Sequence, residues 1–273
     1  MPAITNYLTI DVEDYFQVSA FDRVVRPEEW DSYESRVEQN TRKILEILAR
    51  RHVKATFFIV GWIAERFRTL VQEIDRAGHE IGCHSYLHRR IYTLTPDQFR
   101  DDTKKAKDIL ENIIGKKVAG YRAPSYSITK KSLWALDILE EEGFLYDSSI
   151  FPILHDLYGM PNSPRFPYKI KGRSMMEYPI STLLLMGRKI PVSGGGYFRL
   201  FPYRFTRWAL KRINTMEGKP FIFYLHPWEI DPQQPRIKGA GLKSGFRHYL
   251  NLDQTLPRFQ KLLTDFRFTP IRP

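Results

Sequence analysis

The stretch Glu80-Ile81-Gly82-Cys83-His84-Ser85-Tyr86-Leu87-His88 sets a short apolar run ahead of two imidazoles four residues apart. The apolar run reads as the end of a buried strand. If the chain turns into a helix there, residues i and i+4 share one face, and two imidazoles on one face can hold a divalent metal ion. Taken alone, the pair is equally compatible with two histidines that cap or pack. Segments on either side decide between these readings.

Working outward, the chain alternates. Upstream, Lys54–Val60 reads as a buried strand by its continuous apolar character, followed by a helix over Ile63–Arg76 stopped by Gly78. Downstream, Thr95-Pro96-Asp97-Gln98 starts a helix with Pro in its first turn, ending near Ile114 and Gly115. Lys117–Tyr121 is a strand that runs into Arg122-Ala123-Pro124-Ser125-Tyr126. A helix over Thr129–Glu142 leads to a strand over Phe144–Tyr146 and to Asp147-Ser148-Ser149. Nearer the start, Tyr7–Ile10 is β-prone and ends in Asp11-Val12-Glu13-Asp14; a long loop (Tyr15–Gln39) and a helix (Thr41–Arg51) follow. Strand and helix in turn predict parallel strands with helices outside, an α/β fold.

Between Ile150 and Pro202 this rhythm breaks into short strands and loops. The run Ser193-Gly194-Gly195-Gly196-Tyr197-Phe198-Arg199 lacks the Lys-Ser/Thr and the frame of a phosphate loop. Tyr203–Met216 resumes as a helix, and Phe221–Leu225 is a strand ending in His226-Pro227-Trp228-Glu229. After a polar, Gly-containing loop, a last helix covers Gln254–Phe266. The expected organisation is one domain over 1–273, with a core at 6–149 and 203–273 and an insertion at about 150–202.

With 273 residues, 42% of them apolar, the chain suits one large α/β unit. The 14% aromatic share fits a packed barrel or a groove that stacks on sugar rings. A formal charge of +11 favours an anionic partner, but Lys and Arg are dispersed and no nucleic-acid-binding signature appears. The charge is read as a surface property suited to an anionic glycan or a membrane face. Cys83 is the single cysteine, which excludes an internal disulfide and fits a reducing compartment. The opening residues 1–5 lack the pattern of a secretory leader. No apolar run reaches the roughly 18 residues of a membrane span. The expectation is a cytoplasmic protein, at most peripheral at the inner face of the membrane.

Asp11, His84, Arg122, Asp147 and His226 all fall at or just beyond the C-terminal ends of predicted parallel strands. That rim is where barrels of alternating strands and helices build their sites, and packing alone does not explain five polar residues there. Two neutral imidazoles and a carboxylate hold a divalent ion with positions left open. Such an ion activates water and polarises a carbonyl; a separate carboxylate takes a proton and a separate histidine returns one. An arginine beside a carboxylate favours its charged form. Three carboxylates in four residues at a strand end likewise point to a cation nearby.

Thr9-Ile10-Asp11-Val12-Glu13-Asp14, His84-Ser85-x-x-His88, Arg122-x-Pro124 and Leu225-His226 resemble, in order, the motif series of the polysaccharide deacetylase family (carbohydrate esterase family four). Asp11-Val12-Glu13-Asp14-Tyr15-Phe16, Tyr146-Asp147-Ser148-Ser149 and Gly196-Tyr197-Phe198-Arg199 resemble the subgroup associated with exopolysaccharide loci of the PEP-CTERM/exosortase system. The resemblance covers about Asn6–Ser149 and the strand at His226; beyond Ile150 it is to the subgroup alone. It implies a distorted, incomplete (β/α) barrel and hydrolysis of an N-acetyl group on an amino sugar, with release of acetate.

Carried over by position, Asp11 would be the general base, Arg122 would orient it, and His226 would be the general acid. His84 and His88 would be ligands of a divalent metal, most often Zn, with Co, Ni or Mn as alternatives. Leu225 and Tyr126 would line the acetyl pocket, and the Tyr126 backbone N–H would bind the oxyanion. The family's adjacent Asp pair is replaced here by Asp11-Val12-Glu13-Asp14. Strand alternation puts Glu13 on the face of Asp11, whereas a turn at Val12 would present Asp14. Asp14 is the expected third ligand, with Glu13 the alternative. The family's later Asp-x-x-x-Trp element has no recognisable counterpart; Asp147 is the candidate partner for the His226 imidazole, or else pairs with a surface Lys.

Trp228 and Glu229 are candidate sugar contacts, Arg199 is a candidate for a glycan carboxylate or phosphate, and His79 and His155 read as structural. The substrate would be a glycan or lipid-linked oligosaccharide. Two other readings stay open: a cyclic amide or imide hydrolase on the same fold, and a glycan-binding module without catalysis.

Overall fold

A computed structural model describes residues 4–155 and 158–272. Residues 1–3, where the leader pattern was sought, and two positions of the expected insertion lie outside that range. Strand β1 (Thr5–Val12) has Leu8, Ile10 and Val12 facing one way and Tyr7, Thr9 and Asp11 the other, as strand geometry requires. It pairs in parallel with β2 (Thr56–Ile59) on one side. Helix α1 (Val37–Arg50) makes that crossover.

Helices α2 (Gly61–Arg66) and α3 (Arg68–Arg76) stand where the periodicity predicts one helix; Phe67, at φ −116° and ψ 52°, breaks the run. Next come β3 (Glu80–Cys83), α4 (Pro96–Ile114), β4 (Gly120–Tyr121), α5 (Ala135–Glu141) and β5 (Tyr146–Asp147). The boundaries of α4 follow directly from sequence. Thr95 and Gln98 form a reciprocal capping box, Pro96 opens the first turn, and Gly115 ends the helix at φ 70°.

The stretch beyond residue 150 adds β6 (Tyr168–Lys169), β7 (Met176–Glu177), a separate hairpin of β8 (Thr182–Leu185) and β9 (Arg188–Pro191), and the short α6 (Gly195–Leu200). The closing elements are α7 (Tyr203–Met216), β10 (Ile222–Leu225), α8 (Leu242–Tyr249), α9 (Leu252–Asp265) and β11 (Arg267–Thr269). Sequence reading missed α8, whose Gly241 and Gly245 suggest a loop, and also β11, which pairs with β1. The main sheet runs β10-β1-β2-β3-β4-β5-β7-β6, parallel except for the final pair. The strands curl into a half-barrel with helices outside, so the expected α/β class and incomplete barrel are what the chain adopts. No helix among the described residues is long and apolar enough to cross a membrane.

Strand alternation separates two cores. Phe57, Ile59, Phe223 and Leu225 join the large cluster under the helices. Phe58, Tyr146, Tyr178, Ile222 and Tyr224 form a second, aromatic-rich cluster inside the curl. Gly120 makes room for that interior, since a Cβ there would collide with the Tyr146 ring. Gly194, at φ 134°, does the same at the open edge, where a Cβ would meet the Tyr224 carbonyl. This close approach is what the tri-glycine provides, and it lets the stretch beyond residue 150 bridge to β10 at Gly194–Tyr224.

His79, read as structural, is a buried imidazole whose Nδ1 accepts from the Ala55 N–H at 3.1 Å. Burial, aided by the Lys54 charge, holds it down to about 4. Between pH 6.5 and 4 the unfolded chain therefore binds a proton that the folded one refuses, and stability falls as pH drops through that window. The loss from this group should approach about 3 kcal/mol near pH 4. In His79→Asn, where an amide oxygen can replace the acceptor, unfolding free energy measured from pH 7 to pH 4.5 should show a slope shallower by about one proton. An unchanged slope would remove His79 from the account.

Candidate functional site

Strand order brings the C-terminal ends of β10, β1, β3, β4 and β5 to one rim. His226, Asp11, His84, Arg122 and Asp147 stand there respectively. The His84–His88 segment is not the helix that the i, i+4 spacing suggested. It is a loop in which Ser85 and His88 take positive φ, 65° and 52°, and both rings still face one point, 5.1 Å apart between centroids.

Asp102, unnoticed in the sequence on α4, holds the loop in this form. Its buried carboxylate accepts from the Ser85 hydroxyl and from the backbone N–H groups of Tyr86 at 2.6 Å and Leu87 at 3.1 Å. Its sequence signal is faint, an Asp on the buried face of an amphipathic helix.

The structure corrects the choice of carboxylate. β1 stays extended through Val12, so Glu13 keeps the face of Asp11 and turns toward the histidines. Glu13, His84 and His88 place ligand atoms within 4.8 Å of one another, all buried. Asp14 points away: it accepts from Ser35 Oγ at 2.6 Å, the Tyr15 N–H at 3.0 Å, and the N–H groups of Arg36 at 2.9 Å and Val37 at 3.1 Å. Those last two are unpaired donors at the start of α1, so Asp14 caps that helix from a distant loop.

The donor set fits a divalent transition metal. Glu13 Oε2 is buried and meets only His88, 2.5 Å from its Nε2. Its Oε1 accepts the Trp228 indole N–H at 3.0 Å. His84 Nδ1 sits 2.6 Å from the Arg122 carbonyl. With the proton on Nδ1, the Nε2 lone pair is left for a ligand, the usual arrangement behind a metal-binding histidine. Burial lowers His84 to about 4, against the pull of Asp11. Burial opposes charge on His88 as well, but the Glu13 carboxylate raises it.

Beside this cluster, the fully buried Arg122 donates to Asp11 Oδ1 at 2.6 Å, Thr9 Oγ1 at 2.7 Å, Ser148 Oγ at 2.7 Å and the Ser148 carbonyl at 3.1 Å. Its guanidinium lies 4.2 Å from the centre of the Phe58 ring. The Tyr126 hydroxyl is 3.5 Å from Asp11 Oδ2. On the far side, His226 Nε2 lies 3.8 Å from Asp11 Oδ2 and 3.6 Å from Glu13 Oε1. Burial lowers the His226 imidazole, but Glu13, Glu229 and Asp11 carboxylates raise it to about 9.

Other expectations are refined. His226 Nδ1 is bound by Glu229 at 3.0 Å, not by Asp147, and Glu229 is held by Arg199 at 2.8 Å. Asp147 is buried against Glu177 and accepts from the Ser149 hydroxyl, and burial pushes it up to about 6. Arg199 is 3% exposed and lines the cleft, with its guanidinium engaged by Glu229 and by the Leu250 carbonyl at 3.2 Å. Trp228, expected at the sugar, lines the cleft while stacked between His226 and His248. The i, i+3 spacing of His226 and Glu229 was the signal for this link: Glu229 also accepts the His226 backbone N–H at 3.0 Å.

Asp11, Glu13, His84, His88 and His226 open into a cavity of about 470 Å³. Tyr126, Tyr224 and Tyr197 line it, and so does His155, read from sequence as structural. Leu225 is wholly buried in the core, so Tyr224 beside it forms the wall instead. The Tyr126 N–H donates to the Ala123 carbonyl at 3.1 Å, so it is engaged within the loop and not directed at an oxyanion.

Residues 21–142 match the family model described as polysaccharide deacetylase, and residues 148–273 match a domain of unknown function (DUF3473). A peptidoglycan-N-acetylglucosamine deacetylase of Bacillus cereus is 37% identical over 98 residues, 36% of this chain and 36% of that protein. The chain thus spans about a third of the length of the curated relatives it matches. Among solved structures, a candidate polysaccharide deacetylase from Mycobacterium smegmatis superimposes with a TM-score of 0.56 at 20% identity, covering 100% of this chain and 96% of the other. A family 4 carbohydrate esterase from Streptomyces lividans, in complex with acetate, gives 0.51 at 14% identity, covering 98% and 92%. These two likenesses concern the fold.

Proposed function

We propose, from the premise that the family model and the curated relatives support membership of the polysaccharide deacetylase family, that this chain is a metal-dependent hydrolase. It removes N-acetyl groups from an amino-sugar glycan, such as an exopolysaccharide precursor or lipid-linked oligosaccharide, and releases acetate. The observation that carries the reading is the meeting of three parts on one cleft: the buried Arg122–Asp11 pair, the Glu13/His84/His88 ligand set, and His226 opposite.

Glu13, His84 and His88 would hold the ion. When bound, it supplies an acidified water and polarisation of the acetamide carbonyl. The rest is done by the chain's own groups. Asp11 Oδ2, the oxygen not paired with Arg122, accepts the proton of the attacking water. Arg122 holds Asp11 through the opposite oxygen and fixes its direction. His226 Nε2 faces the same space and donates to the departing amine nitrogen, while Glu229 on Nδ1 keeps the ring oriented and favours its protonated form. Tyr126 and Tyr224 close the wall around a small acetyl group. The complete acid, base and ligand set disfavours a binder without catalysis.

The test is acetate release from a panel of N-acetylated sugars and oligosaccharides, with zinc or cobalt added. Acetate should appear one-for-one with free amine, and His84→Ala should stop it. No acetate from any member, or ring opening of a cyclic imide instead, would overturn the assignment.

A further inference from the structure

One wall of the cleft differs from the rest. α8 lies along its mouth, with Leu242 95% exposed and Phe246 63% exposed. These residues are four apart and therefore neighbours on one stripe of the helix. Lys243 and Arg247 make the adjoining stripe, line the cleft with Phe246, and have no ion-pair partner among the described residues. Leu200, next to the Arg199 that bonds the Leu250 carbonyl just past α8, is half exposed and lines the same cleft. Residues 232–250 hold Arg236, Lys238, Lys243 and Arg247, and no Asp or Glu.

A single exposed leucine is ordinary. Exposed apolar side chains at one rim of the opening, set among cations without ion-pair partners, have the composition of a surface that lies in a membrane interface. We propose that this rim docks the protein on an anionic phospholipid bilayer and that the substrate is a glycan presented at the membrane on a lipid carrier. The identity of that substrate rests on the deacetylase reading; the docking does not.

The bilayer is favoured over other occupants on two grounds. Leu242 lies outside the cleft lining, so a soluble anionic glycan held in the cleft would use the cations and leave Leu242 in water. A second copy would bring another +11 against the same basic rim.

The full chain is tested by flotation with vesicles of phosphatidylcholine alone and with phosphatidylglycerol added. Binding should need the anionic lipid and weaken with salt. Lys243→Glu with Arg247→Glu should lower partition about tenfold or more, and Leu242→Glu should lower it several-fold, with circular dichroism and melting unchanged. Equal binding to neutral vesicles, indifference to Leu242→Glu, or self-association in place of vesicle binding would overturn the proposal. Acetate released from soluble glycans by a protein that ignores vesicles would overturn the docking alone. Vesicle binding without acetate from any substrate would overturn the deacetylase reading and leave the docking in place.

Discussion

Asp11→Asn is expected to lower acetate release by about 10²–10⁴-fold while metal binding stays intact. The metal-facing atoms belong to Glu13, His84 and His88, and the amide oxygen can still accept from Arg122, so the ligand set keeps its shape. What disappears is the oxygen able to take a proton. The change has a second consequence. Arg122 is fully buried and Asp11 is its ion-pair partner, so the substitution leaves a buried cation without its counter-charge. That costs about 3 kcal/mol. Paired measurements of bound metal and melting temperature separate the two effects. Loss of metal in Asp11→Asn with turnover retained would exchange the roles given to Asp11 and Glu13.

Glu13→Ala and Asp14→Ala should behave oppositely, although the two residues are adjacent. Glu13→Ala removes the buried carboxylate beside His88 and should abolish stoichiometric metal uptake, and acetate release with it. Two imidazoles alone do not complete the three-ligand site that such chemistry uses. Asp14→Ala should keep metal and most turnover, but it strips the start of α1 of a cap that accepts from three donors there, a loss of about 2 kcal/mol. Metal content of the purified variants together with thermal melting would read both at once. Metal lost from Asp14→Ala, with Glu13→Ala still loaded, would sink the ligand assignment.

This pair also marks the limit of what sequence can say. Asp11-Val12-Glu13-Asp14 announces a cation, and alternation offers Glu13, but the choice depends on where the strand stops bending inward. That is settled by Ser35, Arg36 and Val37, some twenty residues away, which claim Asp14 for a helix start. Asp147 and Arg199 show the same dependence. Each is a charged residue beside a promising motif, and each is taken by a distant partner, Glu177 and Glu229.

Several features follow from the chain's own order of residues. Capping signals, glycine stops and a two-residue strand period are local, so the alternation of strand and helix, and hence the α/β class, could be read directly. The positions of Asp11, His84, Arg122 and His226 at strand ends followed from the same pattern. Tertiary structure alone decided which oxygen meets which nitrogen. Ligand geometry, the Arg199 hold on Glu229 and the Asp102 clamp on the histidine loop arise from contacts between different segments of the chain, and no local spacing encodes the distance between them.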